Sequence, residues 1–119
     1  MTEQAIRDTI QTYFDCMFEA DADKARAAFH PNAKITGYMQ GQLAEMTVEE
    51  FAGFVGSHPS AKANGESPKL DILSIDIAGD TAVSRVRDDY LGNTFLDTLS
   101  FICVDGEWRI YNKLFFVER

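Results

Sequence analysis

A chain of 119 residues, 45% hydrophobic and 12% aromatic, has the make-up of one folded globular domain, residues 1–119, and lies outside the disordered class. Its net charge of −8 repels phosphate backbones and anionic bilayers, so neither nucleic acid nor membrane is an expected partner. No apolar run reaches the length of a membrane span, and "MTEQAIRDTI" lacks the basic-then-apolar pattern of a signal peptide, which makes the cytoplasm the expected location.

Ile6, Ile10, Tyr13, Phe14 and Met17 recur at helical spacing and predict a first helix over residues 3–20. Asp21 is a good N-cap for a short second helix, Ala22 to Phe29. That helix stops at His30, because Pro31 disfavours the helical conformation of the residue before it. Residues 33–46 read as two short strands around "MQGQ". In "MTVEEF", Thr47 and Glu50 form a capping box, and Met46 and Phe51 a hydrophobic staple. A third helix is therefore predicted from Val48 to Gly56, followed by a polar loop that holds His58.

From Lys69 the period of the pattern changes to two. The turns "AGDT", "LGNT" and "VDGE" separate four strands of an antiparallel meander. Helices first and a long sheet afterwards predict an α+β cone, a curved antiparallel sheet with three N-terminal helices packed on its concave face. Cys16 and Cys103 fall in apolar positions of a helix and a strand, where a free cysteine acts as a small hydrophobe.

Two-residue hairpin loops give a register. They place Asp71 opposite Asp88, Asp88 opposite Asp97, Val86 opposite Leu99, Leu99 opposite Asn112, and Phe95 opposite Tyr90 and Phe116, all on one largely apolar face. The other face carries Arg85, Arg87, Thr98, Ser100, Arg109, Tyr111 and Lys113, and reads as solvent or a polar interface. Like charges opposite one another destabilise a sheet. The row Asp71, Asp88 and Asp97 therefore marks the solvated mouth of the sheet, a slip in register at a bulge, or a wet cavity. In the cavity reading Asp97 has a raised pKa and an acid–base role. Asn112 is a satisfied core amide or a ligand contact. His30, at a helix C-terminus, is a structural imidazole or lines the pocket.

The element order, with "YFDCMFEADADKARAAFHPNAKI", "GDTAVSRVRDDYLGNTFLDTLSF" and "DGEWRIYNKLF", resembles the nuclear transport factor 2-like superfamily, and within it the group called putative lumazine-binding proteins. That superfamily also contains ketosteroid isomerase, limonene epoxide hydrolase, scytalone dehydratase and the SnoaL-type cyclases. The resemblance implies a pocket between helices and sheet and a homodimer. It places Tyr13 where the isomerases have their oxyanion-hole tyrosine, and Gly37 where they have their base, so isomerase chemistry is not carried over.

The resulting expectation is a small-molecule binding protein or small enzyme acting by acid–base chemistry of the isomerase, dehydratase or cyclase type. Asp97 and Tyr13 are the expected catalytic pair. Tyr13, His30, Phe54, Val86, Asp88, Tyr90, Leu99, Asn112 and Phe116 are the expected ligand contacts. No metal or cofactor is expected. The competing expectations are a module that holds a ring such as a pterin without chemistry, and an association domain with a filled cone. Dimerisation is expected through the outer face around Arg85, Ile102 and Tyr111.

Overall fold

The computed structural model describes residues 2–118. Helix α1 spans Thr2–Phe18, α2 Ala22–Ala28 and α3 Val48–Ser57. The strands are β1 Phe29–Met39, β2 Gln42–Thr47, β3 Leu70–Ala78, β4 Thr81–Tyr90, β5 Asn93–Val104 and β6 Glu107–Val117. They form one curved, unclosed sheet in the order β2-β1-β6-β5-β4-β3.

The α+β cone is as the sequence indicates, with one difference: β1 runs parallel to β6, so the sheet is mixed. β1 also begins at Phe29, earlier than the pattern suggests. Pro31 forces an extended backbone around it, and the chain enters the strand through an irregularity between Phe29 and Lys34. Helices α1 and α3 cover the sheet with the stripes given by their periodicity: Ile6, Ile10, Tyr13 and Met17 from α1, and Phe51, Ala52 and Val55 from α3. The Asp21 N-cap and the Thr47/Glu50 capping box both form, fixing where α2 and α3 begin.

The hairpin turns set the register. Gln40-Gly41 and Asp105-Gly106 lie in left-handed backbone, with φ of 52° and 80° in each, as two-residue turns of this kind require. In the β4–β5 hairpin the left-handed pair is Leu91 (φ 52°) and Gly92 (φ 78°), one residue earlier than a Gly92-Asn93 turn. A leucine is an unusual occupant of that position, which is why its sequence does not announce the turn. The pairing therefore shifts by two residues: Val86 faces Asp97, Ser84 faces Leu99, and Asp88 faces Phe95. An even shift keeps every side chain on its face.

Two bulges do change faces. One, between Ile72 and Ser74, turns Asp71 outward opposite Arg87 and removes it from the acidic row. The other lies between Ser100 and Phe101 on β5, opposite Tyr111, and pairs Ser100 with Asn112 and Leu99 with Lys113. Asn112, Leu114 and Phe116 are thereby exposed, and Lys113 and Phe115 turn inward. Among the described residues no helix is long and apolar enough to cross a membrane.

Candidate functional site

Four polar side chains from four elements lie buried where α1 crosses the sheet. Tyr13 of α1 and Asp97 of β5 are fully buried, and the Tyr13 hydroxyl donates to Asp97 Oδ2 at 2.6 Å. Asp88 of β4 lies beside them, also buried, and Lys113 of β6 completes the group at 5% exposure. Asp97 Oδ1 and both Asp88 oxygens meet no protein N–H or hydroxyl. A proton on the carboxyl pair supplies the missing donor. Burial first, and then the Asp97 charge and a hydrogen bond to Asp97, push the Asp88 carboxyl up to about 9. Asp88 thus carries a raised carboxyl. One protonated and one ionised acid share the site, because two adjacent buried carboxylates would repel and neither would be solvated.

Tyr13 is held neutral by burial and by the two acids, which raise its hydroxyl well above the usual tyrosine range. Burial likewise pushes the nearby Cys16 thiol up to about 12 and raises the Tyr90 hydroxyl, so neither supplies an anion at neutral pH. Cys16 and Cys103 are both free thiols.

The Lys113 ammonium sits above this group and is surrounded by aromatic faces. Its Nζ lies 4.7 Å from the centre of the Tyr13 ring, 4.9 Å from that of Phe51 and 5.7 Å from that of Phe115. No protein acceptor bonds to Nζ and no carboxylate lies within 4.0 Å of it among the described residues. The rings balance its charge electrostatically. Its N–H groups have no protein oxygen to donate to.

Above Lys113 opens a cavity of about 310 Å³ between α3, β1–β2 and the β4–β5 turn. Met46, Phe51, Phe54, Phe95 and Phe115 form most of its wall, and Tyr90, Asn93 and Lys113 also line it. His58 braces Phe54 from behind: its ring packs 4.2 Å from the Phe54 ring, and its Nδ1–H donates to the Phe54 carbonyl at 2.6 Å. Phe54 and Tyr90 both line the cavity.

The other expected contacts lie elsewhere. Val86 and Leu99 are fully buried in the core, and Tyr13, Asp88 and Asp97 are sealed beneath Lys113 without reaching the cavity wall. Asn112 and Phe116 point outward because of the β5–β6 bulge, and Phe116 is 63% exposed. His30 lies on β1 with its ring 4.9 Å from that of Tyr111, and its Nδ1 accepts the Asn32 N–H at 3.1 Å, away from the cavity. Sequence reasoning misses Lys113, Phe51 and Phe115 as site residues. "KLFFV" presents apolar side chains to both faces in either register, so its hydrophobic pattern does not choose between them.

Gly37 is explained by the same packing. A Cβ there would lie 2.5 Å from the Phe115 carbonyl oxygen and 2.6 Å from its ring. No side chain fits, so the place of an isomerase base is filled by a cavity wall. Gly37→Ala is expected to destabilise the fold by about 1–3 kcal/mol in chemical denaturation, because β1 must move off β6. A loss below a few tenths would mean that Phe115 yields freely.

A family model described as Putative lumazine-binding matches residues 1–116. The aldolase FrzH of a Cladobotryum species is 22% identical over 111 residues, a stretch covering 93% of this chain and 87% of that protein. An NTF-2 like protein of unknown function from Silicibacter pomeroyi superposes with a TM-score of 0.91 at 25% identity, with 99% of each chain covered. A second such protein, from Methylobacillus flagellatus, gives 0.88 at 27% identity over 99% of this chain and 93% of that one. Fold and sequence match agree over all but the last three residues, and the chain belongs to the putative lumazine-binding family of the nuclear transport factor 2-like superfamily.

Proposed function

We propose that the protein binds a compact, largely apolar carbonyl compound in the cavity above Lys113 and acts on it by acid–base chemistry. The observation that carries this reading is Lys113 itself, an amine without a protein acceptor at the base of an aromatic-walled cavity. A cavity of about 310 Å³ is near the lower end of the usual range for ligand sites, about 300–1,000 Å³. A ligand that fills it needs a hydrophobic body and one oxygen to accept from the amine. A charged donor aimed at a carbonyl oxygen stabilises the negative charge that develops there when a neighbouring proton leaves.

The family description and the distant aldolase both fit this chemistry. Lumazine is a flat ring system with carbonyl oxygens, and an aldolase works on carbonyl carbon. Asp97 and Tyr13 lie behind Lys113, so in this reading they hold its charge and position. Substrate contact falls to Lys113. The supporting experiment is a thermal-shift screen that pairs small ketones, aldehydes and lumazine with hydrocarbons of the same shape. The carbonyl member of each pair is expected to raise the melting temperature, and equal shifts for both members would remove the role of the oxygen.

A homodimer through the outer sheet face is proposed alongside. That face exposes Val83, Tyr111, Leu114 and Phe116 and has a shallow depression of about 470 Å³ between Val83, Ser100, Ile102 and Tyr111. Exposed apolar side chains in such number favour a covered face, and a two-fold contact is the commonest cover. Light scattering at micromolar concentration is expected to give twice the mass of the chain, and Tyr111→Glu to halve it. A monomer mass for the wild type would count against this assembly.

A further inference from the structure

We infer that Lys113 is a nucleophile that captures an aldehyde or ketone as an iminium, an inference that rests on the carbonyl reading above. The surroundings of Nζ suit one kind of cation better than another. Three aromatic faces lie 4.7, 4.9 and 5.7 Å away, the side chain is 5% exposed, and among the described residues no oxygen accepts from the nitrogen.

Aromatic faces stabilise positive charge but replace hydrogen-bond acceptors poorly, so such cages favour soft, weakly hydrated cations. A lysine ammonium is the opposite: compact, strongly hydrated, with three N–H donors. An iminium keeps the charge in the same place, spreads it onto carbon and carries one N–H. The two carbon substituents it adds, or one for an aldehyde, would lie in the apolar cavity among Met46, Phe54 and Phe95. Every change from ammonium to iminium therefore moves the group toward what its surroundings offer.

The step balances without a co-reactant. The ammonium first gives one proton to solvent at the cavity, since no carboxylate lies within 4.0 Å of Nζ among the described residues. The freed lone pair forms the C–N bond while the carbonyl π pair moves to oxygen, and a proton passes from nitrogen to that oxygen to give a carbinolamine. A proton from solvent then joins the hydroxyl, which leaves as water as the nitrogen lone pair closes the C=N bond. One ammonium and one carbonyl give one iminium and one water, with no electrons gained or lost.

The test uses the intact protein with benzaldehyde and cyclohexanone as probes and sodium borohydride to reduce any iminium to a stable amine. The expected result is one adduct per chain, mapped by peptide mass spectrometry to Lys113 and formed at least tenfold faster than at Lys24, Lys34, Lys62 or Lys69. Lys113→Arg and Lys113→Met should both lose that adduct while keeping the slow labelling elsewhere. Labelling of Lys113 no faster than of the exposed lysines would overturn the inference. If the probes raise the melting temperature in a Lys113-dependent way and still leave no adduct there, the covalent step fails and the binding reading survives. If they neither bind nor label, both fail.

Discussion

Asp88→Asn is expected to melt at nearly the wild-type temperature at pH 4–5 and more than about 5 °C higher at pH 8. Burial and the Asp97 charge raise the folded Asp88 carboxyl to about 9, from an ordinary value of 3.8. Between those values the folded protein keeps a proton that the unfolded chain releases. Raising the pH through this window therefore favours unfolding, by up to about 1.4 kcal/mol per pH unit. Above about 9 both states are ionised there and the penalty levels off. Asparagine cannot ionise, and its amide can donate to Asp97 as the protonated acid does, so the variant escapes the penalty. Thermal melts of both proteins across pH 4–9 measure the divergence. Parallel curves would show that Asp88 ionises normally in the folded state.

Lys113→Met is expected to weaken binding of a carbonyl ligand roughly 10- to 100-fold, the worth of one charged hydrogen bond in a water-poor site. The fold should survive, because methionine keeps the unbranched stem and its sulfur packs well against the Tyr13, Phe51 and Phe115 rings. The Asp88 carboxyl should rise further in this variant, since the Lys113 charge is what holds it down. Calorimetric titration reads the first effect and carboxyl NMR the second. Unchanged affinity would make Lys113 a packing residue and would move the polar anchor to Tyr90 or Asn93.

The elements were legible because each carried a local signal: apolar stripes for α1 and α3, caps at Asp21 and Thr47, and a period of two from Lys69 onward. Asp88 and Asp97 were legible as neighbours, in a row read with Asp71, since acids on an apolar face need a reason to be there, and Tyr13 was legible from the α1 stripe. The raised carboxyl of Asp88 was not. That depends on how deeply each is buried and on the charge above them, and Lys113 is placed by a bulge. Nothing local marks that bulge, because Leu114, Phe115 and Phe116 satisfy an inward face in either register. The same slip that put Asn112 and Phe116 in the expected pocket took Lys113 out of it. The left-handed Leu91 hid a turn in the same way, with less effect, since a shift of two residues leaves the faces intact.

The central claim is that Lys113 meets the ligand, and carbon NMR of the lysine side chains tests it most directly. The chain has five lysines, at positions 24, 34, 62, 69 and 113, and with ¹³C at Cε each gives one resolvable signal. On titration with the best carbonyl compound of the screen, the Lys113 signal is expected to shift alone, and to vanish from the spectrum of Lys113→Met together with the response. A binding compound that leaves the Lys113 signal in place, or that moves only the exposed lysines, would contradict the account.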